Sequence, residues 1–282
     1  SATEVRAAVD SLLQEGMTGL VLDLRGNPGG LLDQGIAVTD LFLAPGQSVV
    51  ETRGRADDQN QTFPSSTPDR FPGLPVVILV DGSSASASEI VAGALQDYDR
   101  AVLIGEASFG KGSVQSLFRL TGGDVLRLTT AKWFTPIGRS IHLESQDRGE
   151  TEPSHMLSIA GQIVRPSSIE GRPTFESESG RTLYGGGGIT PDLLVAPETL
   201  VPREADAVRG LFARAGAFSL TLFNYAVGYV AEHPELEIGF TVSTAELEAF
   251  YTMLPEYGAT IDRADFDNAE RFVRYHLERE IA

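Results

Sequence analysis

Three short apolar runs alternate with segments of helical spacing up to Gly105, and this alternation limits the fold more than any other feature of the sequence. The runs predict three buried strands, Gly19–Leu24, Pro75–Val80 and Ala101–Gly105. Helices are predicted at Leu31–Phe42 and from about Ala87 to Gln96, where apolar residues recur at helical spacing. A repeat of strand, helix and strand folds as a largely parallel sheet flanked by helices. We therefore predict an α/β protein.

Beyond Gly105 the alternation ends. Val114–Leu120 and Val125–Phe134 are strand-like and flank a glycine-containing turn, so two further strands are predicted. Residues 53–75 are polar and contain proline, and they are interpreted as a surface excursion. Residues 136–190 are mostly polar and are interpreted as loop-like.

The last part of the chain, Pro202–Ala282, has helical spacing throughout, with breaks at Pro234 and Pro255. We therefore divide the chain into a core, residues 1–197, and a C-terminal helical extension, residues 198–282. Apolar stripes in this extension are interpreted as core or as the surface of a homodimer rather than as a binding groove. They contain Leu211, Phe212, Phe218, Leu222, Phe223 and Tyr229.

Composition restricts the function. Of 282 residues, 41% are hydrophobic and 22% charged, which is typical of a globular protein, and a chain of this length can bury one large core, or one core and a small appendage. The net charge of −17 disfavours a nucleic-acid surface, an anionic-membrane surface and a polyanionic substrate. The sequence contains neither a signal-peptide pattern nor an apolar run of about 18 residues.

Cysteine and histidine, the ligands that zinc prefers, are scarce. The chain has no cysteine, which excludes thiolate catalysis, disulfides and cysteine zinc sites. The four histidines are scattered without the spacing of a zinc site; they are His142, His155, His233 and His276. The sequence therefore predicts no metal and no cofactor.

Lysine is rare in this chain and occurs only as Lys111 and Lys132. Arginine keeps its proton in proteins, whereas a desolvated lysine becomes a neutral amine that acts as a base. Ser86 lies where the strand Pro75–Val80 runs into the next helix. A serine at such an elbow and a rare lysine together predict a serine–lysine hydrolase. In this hypothesis Lys111 takes the proton of Ser86, and Gln115 holds the amine in position.

A serine nucleophile also needs donors for the oxyanion that it creates. The backbone N–H of Ala87 is one candidate, because the first turn of a helix leaves its N–H groups unsatisfied. Gly29 or Gly30 supplies a second, since glycine lets the backbone approach closely. The competing interpretation is structural. Ser86-Ala-Ser-Glu89 matches a capping box, in which Ser86 only begins the helix.

Other assignments compete for the same chemistry. In the simplest interpretation Lys111 is a solvated surface residue. Lys132 is a second candidate base, and His142 would serve in a Ser–His–Asp triad, since chain order does not constrain triads. The stretch Gly105–Lys111 resembles a phosphate-binding P-loop. However, Gly112 stands where that loop needs serine or threonine, and a strand follows instead of a helix.

Five motifs in order resemble one protein family. The segments are Val21–Gly30, Ser84–Ile90, Phe109–Gln115, Thr130–Pro136 with Gly138–Ile141, and Gly185–Asp192. Together they resemble the carboxyl-terminal processing peptidases, also called tail-specific proteases, of peptidase family S41. The resemblance extends from the N-terminus to about residue 197, and five motifs in one order are far more specific than any one of them.

The resemblance implies that Ser86 is the nucleophile, Lys111 the base and Gln115 its supporting glutamine. Three further residues match positions that support the family's site: Glu89, Asp97 and Ser108. The implied fold is a crotonase- and ClpP-like α/β core, with a mixed, largely parallel sheet and flanking helices. The implied activity is cleavage of unfolded or tail-exposed proteins without ATP or metal, in the periplasm or elsewhere outside the cytoplasm.

Two features depart from the family pattern. The family carries a PDZ domain before its catalytic core, which binds substrate C-termini by strand addition, and this chain contains none. We therefore expect an upstream PDZ domain, an adaptor or another mode of substrate capture. The second departure is the helical extension, which is longer than the family minimum.

The alternative function comes from another class. The same fold also serves ligand-binding modules without proteolysis, and a chain without a PDZ domain fits a binding or scaffolding role. An acyl-CoA-processing enzyme of crotonase type shares only the fold. Intact Ser86, Lys111 and Gln115 favour the peptidase.

Overall fold

The computed structural model describes residues 2–143, 156–161, 163–164, 169–236 and 239–282, so His155 of the sequence analysis lies outside them. The helices are α1 Ala2–Gln14, α2 Leu32–Asp40, α3 Ala87–Asp97, α4 Pro202–Phe212, α5 Ala215–Glu232, α6 Thr244–Met253, α7 Arg263–Asn268 and α8 Glu270–Ile281. The strands are β1 Leu20–Asp23, β2 Ser48–Gly54, β3 Gln61–Pro64, β4 Val76–Val80, β5 Val102–Gly105, β6 Ser113–Arg119, β7 Val125–Phe134, β8 Met156–Leu157, β9 Ile163–Val164, β10 Thr174–Glu176, β11 Thr182–Tyr184 and β12 Leu193–Leu194.

The chain divides into two units. The first comprises Ser1–Glu152 and Pro166–Ala196, and the second comprises Pro153–Arg165 and Pro197–Ala282. The sequence analysis assigned the segment 153–165 to the core, whereas the structure groups it with the helical unit. The reason is backbone pairing. The N–H of Ile159 donates to the carbonyl of Glu198, and the N–H of Leu200 donates to that of Leu157.

A parallel sheet lies at the centre of the first unit. Its strand order is β1-β4-β5-β12, and all three pairings are parallel. Along β4 the buried residues alternate, with Val76, Ile78 and Val80 facing the core. Every residue of α3 is buried, and its small side chains permit close packing on all sides. The predicted α/β class, with a parallel sheet and helices packed against it, is confirmed.

A second four-stranded sheet stands apart from the first. Its order is β3-β2-β7-β6, and every pairing is antiparallel. The predicted core has a mixed, largely parallel sheet, whereas among the described residues these four strands pair only with one another. The sequence also predicted a surface excursion over residues 53–75, where the structure has the end of β2 and all of β3. The polar composition of residues 53–75 suggested a loop, but one face of an antiparallel sheet can be exposed to solvent and then carries polar residues.

Apart from the short strands β8 and β9, the second unit is helical, as the sequence predicted for residues 202–282. It encloses its own apolar core, in which Val208, Phe250, Val273 and Leu277 are fully buried. The predicted breaks are confirmed, since α5 ends before Pro234 and Pro255 lies in a short 3-10 turn after α6. None of the helices in the described part of the chain combines the length and hydrophobicity needed to cross a bilayer.

Candidate active site

Ser86 occupies a strained elbow between β4 and α3. Its backbone has φ 57° and ψ −115°, and only Ser86 and Asp99 among the described non-glycine residues have a positive φ. Such backbone conformations cost about 1–3 kcal/mol and persist only where the surrounding structure enforces them. A strained turn from strand to helix also presents a serine hydroxyl away from the sheet, at the start of the helix. The elbow therefore has the geometry of a nucleophile as well as that of a helix start.

The elbow is held by a carboxylate that the sequence analysis did not select. Asp81, directly after β4, accepts hydrogen bonds at Oδ1 from the backbone N–H groups of Gly26 (3.0 Å), Ser83 (2.9 Å) and Ser84 (3.0 Å). It thereby joins the turn after β1 to the turn before α3. An acidic residue immediately after a buried strand, followed by glycine, was the signal that could have identified it.

Glu89 connects the elbow to the segment that contains Lys111. Its Oε2 accepts the backbone N–H of Ser86 at 2.8 Å and that of Lys111 at 3.0 Å. Its Oε1 accepts the backbone N–H of Gly110 at 2.7 Å and the hydroxyl of Ser108 at 2.5 Å. Because one oxygen receives both N–H groups, the backbone nitrogens of Ser86 and Lys111 lie within about 6 Å of each other.

The Glu89 side chain is completely buried. Burial raises the pKa of Glu89 above its ordinary value, and the hydrogen bonds from Ser108, Gly110, Ser86 and Lys111 act in the opposite direction. Since all four neighbours donate, the ionised carboxylate satisfies them without a proton of its own. Glu89 therefore does more than accept the N–H of Ser86 at the start of α3, because it also fixes the segment 108–111.

Further contacts hold the backbone on both sides of Lys111, whose side chain is half-buried. The indole N–H of Trp133 donates to the carbonyl of Lys111 at 3.0 Å. The N–H of Leu143 donates to the carbonyl of Gly110 at 3.0 Å. A Cβ at Gly112 would lie 2.9 Å from the backbone nitrogen of His142, so only glycine fits there. The structure thus brings His142, the alternative base, close to the same segment.

The glycine turn after β1 packs directly on the elbow. A Cβ at Gly29, where φ is +85°, would lie 2.4 Å from the carbonyl oxygen of Ala85 and 2.7 Å from the nitrogen of Ala87. The N–H of Gly29 donates to Oδ1 of Asn27 at 2.9 Å and is therefore engaged. The oxyanion-hole roles of Ala87 and Gly30 stay predictions.

Ser108, a predicted supporting residue, links Glu89 to the glycine-rich loop near Ile189. Its hydroxyl donates to Glu89 and accepts the N–H of Ile189 at 2.7 Å. A Cβ at Gly188 would lie 2.2 Å from the carbonyl oxygen of Ser108, which explains the need for glycine there. The loop is held from the other side by Arg172, whose guanidinium donates to the carbonyls of Gly185 and Gly188 at 3.0 and 3.2 Å.

Two predicted residues lie away from this arrangement. Asp97 ends α3, about 16 Å along the helix axis from Ser86. There it forms a fully buried ion pair with Arg139 and accepts the N–H of Ile137 at 3.1 Å. Gln115 lies in β6 opposite Thr129, with an exposed side chain. The supporting roles of Asp97 and Gln115 stay predictions.

Within the described ranges, no group of three or more histidine, aspartate or glutamate side chains has the arrangement of a metal site. The described site is thus built from a serine, a lysine, a buried glutamate and backbone N–H groups. Those groups can activate a nucleophile and stabilise an oxyanion.

Comparison with known proteins gave a match between residues 1–149 and the sequence model of peptidase family S41. A carboxy-terminal-processing protease of Bartonella bacilliformis is 55% identical over 125 residues, which cover 44% of this chain and 29% of that protein. A carboxyl-terminal-processing protease of Synechocystis is 41% identical over 167 residues, which cover 59% of this chain and 38% of that protein.

The chain thus spans roughly a third of the length of these curated relatives. Among solved structures, the photosystem II D1 C-terminal processing protease is similar with a TM-score of 0.49 and 27% sequence identity. That likeness covers 71% of this chain and 40% of the other.

Proposed function

The chain belongs to peptidase family S41, and on that basis we propose that it is a serine endopeptidase in which Ser86 is the nucleophile and Lys111 the general base. The observation that carries the proposal is the buried Glu89 carboxylate, whose Oε2 accepts the N–H groups of both Ser86 and Lys111. One buried group fixes the two segments relative to each other, and such preorganisation supports catalysis.

In the proposed mechanism, Lys111 as a neutral amine takes the hydroxyl proton of Ser86 while Oγ attacks the peptide carbonyl. The backbone N–H groups of Ala87 and Gly30 stabilise the oxyanion of the tetrahedral intermediate. The lysine, now an ammonium, gives its proton to the leaving amine. A water molecule then hydrolyses the acyl-enzyme, with Lys111 again taking and returning a proton and Gln115 holding the amine. No step requires ATP or a metal ion.

The proposed substrates are unfolded proteins and proteins with an exposed C-terminus. Support comes from the relatives in Bartonella bacilliformis and Synechocystis, both of which are named for carboxyl-terminal processing. The proposal includes a crotonase- and ClpP-like arrangement of the core and a location outside the cytoplasm. It also includes substrate capture by a PDZ domain or an adaptor.

Cleavage of casein tests the assignment, with fragments identified by mass spectrometry. Ser86→Ala, Lys111→Ala and Lys111→Arg should each lower the rate by about 1,000-fold or more, because nucleophile and base act as a unit. Lys111→Arg keeps the positive charge but cannot supply a neutral amine. Lys132→Arg, at the other lysine, is the matched control and should retain activity.

Activity that survives Lys111→Arg would move the base elsewhere, and His142 would be tested next. An inactive wild type that binds unfolded protein, with binding unchanged in Ser86→Ala, would replace the peptidase with the binding or scaffolding alternative.

A further inference from the structure

The loop Gly185–Gly188 lies against Ser108 but has no side chains with which to hold itself. Gly186, Gly187 and Gly188 have φ angles of +65°, +94° and +84°. Glycine loses more backbone freedom on ordering than any other residue, so successive glycines form an ordered loop only where other residues hold them. We call Gly185–Gly188 the glycine loop.

The backbone of the glycine loop is held from two directions. Three of its N–H groups donate to backbone carbonyls, Gly185 to Pro173 at 2.9 Å, Gly186 to Ser140 at 2.6 Å and Gly188 to Ile141 at 2.9 Å. On the carbonyl side, Nε of Arg172 donates to Gly185 at 3.0 Å and Nη2 donates to Gly188 at 3.2 Å. Arg172 therefore joins the first residue of the loop to the last.

Arg172 is unusual because it is a half-buried cation without a partner of opposite charge. No carboxylate among the described residues pairs with it, and the charge that acts on it is that of Arg139, which is also positive. Burial and this second positive charge both lower the pKa of Arg172. A buried cation is unfavourable unless it is hydrogen-bonded, so the two carbonyls of the glycine loop stabilise Arg172 as much as Arg172 stabilises the loop.

The glycine loop leads directly into Ile189, which is fully buried and forms two hydrogen bonds with Ser108. The N–H of Ile189 donates to Oγ of Ser108 at 2.7 Å, and the N–H of Ser108 donates to the carbonyl of Ile189 at 3.0 Å. A Cβ at Gly188 would lie 2.2 Å from the carbonyl oxygen of Ser108, so the two backbones are in direct contact. Because closely packed groups transmit displacement, a shift of the glycine loop moves Ser108.

The hydroxyl of Ser108 passes its placement on to Glu89. A serine hydroxyl has one proton, and here it is donated to Oε1 of Glu89 while the oxygen accepts the N–H of the residue after the glycine loop. Glu89 in turn accepts the N–H groups of Ser86 and Lys111. A continuous series of contacts therefore leads from the glycine loop to the two residues of the proposed dyad.

We propose that Arg172 is a positioning residue of the reaction, which holds the glycine loop in the place from which Ser108 directs Glu89 towards the proposed dyad. This role rests on the proposed function, because it concerns the reaction of Ser86 with Lys111. Arg172 acts on the geometry of the reacting groups and not on the substrate, so its removal should lower kcat and leave KM nearly unchanged.

Steady-state cleavage of a quenched fluorescent peptide tests this role, with a sequence taken from a casein bond that wild type cleaves. Arg172→Ala should lower kcat by about 100-fold, because a displacement of about 1 Å in a positioned group costs a factor of that size. KM should change by less than about twofold. Arg172→Lys keeps the positive charge but replaces the planar fork with a single ammonium group, so kcat should fall by about tenfold.

Arg100 provides the matched control. It is a partly buried arginine of the same unit, and its guanidinium donates to the carbonyls of Phe42, Phe71 and Leu74 at 3.1, 2.7 and 2.7 Å. Arg100→Ala should lower the free energy of unfolding, since three carbonyls lose their donor. The kcat of its folded molecules, counted from a urea unfolding curve, should stay within about twofold of wild type.

Hydrogen exchange read by mass spectrometry follows the same connection without turnover. The N–H groups of Gly110 and Lys111 are bonded to Glu89, and that of Ile189 to Ser108. Arg172→Ala should speed exchange in the segments 108–111 and 185–189 more than in α3, whereas Arg100→Ala should not single these segments out.

The outcomes separate this role from the proposed function. A wild type that cleaves the peptide no faster than Ser86→Ala would overturn the proposed function, and the role of Arg172 with it. A wild type that cleaves the peptide while Arg172→Ala keeps the same kcat would overturn this role alone. So would an equal loss of kcat in Arg100→Ala, a kcat of Arg172→Lys that matches wild type, or unchanged exchange of the segment 108–111 in Arg172→Ala.

Discussion

At the scale of single residues, the candidate site depends on two groups whose surroundings force them into unusual states. Ser86 holds a backbone conformation that L-residues rarely adopt, and Glu89 is a buried carboxylate with four hydrogen-bond donors. The strained backbone of Ser86 and the buried carboxylate of Glu89 are each unfavourable in free energy when taken alone. Each stabilises the other, because Glu89 accepts the N–H of Ser86. The capping-box interpretation and the catalytic one are therefore compatible.

Gly29 offers a test at this scale. Gly29→Ala would place a Cβ 2.4 Å from the Ala85 carbonyl oxygen, so the glycine turn must move away from Ser86. We expect kcat/KM for peptide cleavage to fall by about 100-fold, since a shift of this size misplaces reacting groups. Gly26→Ala is the control, because Gly26 also has a positive φ, +68°, but open space around it.

Both variants place alanine at a positive φ, so a difference between them reports mainly on the contact with the elbow. Equal activities, with unfolding curves that show both proteins folded, would contradict a role for the Gly29 contact.

At the scale of elements, Asp40 links the end of α2 to the chain that follows β3. It accepts the N–H groups of Ser66 at 2.8 Å and Thr67 at 3.2 Å, and also their hydroxyls and that of Ser65. Partial burial alone would raise the pKa of Asp40, but the hydrogen bonds from Ser65, Ser66 and Thr67 outweigh it and lower that pKa below its ordinary value.

A lowered pKa in the folded state gives the stability of this link a definite pH dependence. The contribution of Asp40 is fully present above the ordinary aspartate pKa of 3.8 and is lost as pH falls through the lowered value. We expect Asp40→Asn to lower the free energy of unfolding at pH 7 and to match wild type more closely near pH 2. Urea denaturation between pH 2 and 7 measures this.

Asp124→Asn, at an exposed position, is the control, and its free energy of unfolding should match that of wild type across the range. If the free energy of unfolding of Asp40→Asn differed from that of wild type by the same amount at every pH, the pH-dependent role of Asp40 would be contradicted. Such a difference would come from lost packing and not from titration of Asp40.

At the scale of the whole molecule, the chain builds two apolar cores, one in each unit. The first is formed around the parallel sheet and α3, and the second is formed by α4 to α8. Aromatic side chains contribute to the second core, where Phe250 is fully buried and forms edge-to-face contacts with Phe218 and Tyr225. We propose on this basis that residues 198–282 lose and gain structure as their own cooperative unit.

Phe250→Ala tests that proposal. Removal of a fully buried phenylalanine costs about 3–5 kcal/mol. In hydrogen exchange read by mass spectrometry, we expect protection to fall in α4 to α8 while β4 and α3 keep theirs. Leu103→Ala, at a fully buried position of the first core, should produce the reverse pattern. Loss of protection in both units from either variant would show one cooperative unit instead.

Much of the fold followed from local patterns. The predicted strands at Gly19–Leu24, Pro75–Val80 and Ala101–Gly105 correspond to β1, β4 and β5. Apolar runs of this kind are diagnostic because each parallel strand turns an apolar face to the core. The prediction that all three strands are buried holds for β4 only, since Val21 of β1 is 62% exposed and Val102 of β5 is 41% exposed. The strands β2 and β3 were not predicted, since half-solvated antiparallel strands have polar residues that resemble those of loops.

The sequence by itself determined the α/β class, the serine at the strand-to-helix elbow, the rare lysine and the five motifs of family S41. These features are local, because each depends on spacing or residue type within a short segment. Only the tertiary structure decided that Glu89 bridges Ser86 and Lys111 and that Asp97 pairs with Arg139 at the far end of α3. Hydrogen-bond partners that are distant in sequence are fixed by packing, and no local pattern encodes which donor a buried carboxylate will meet.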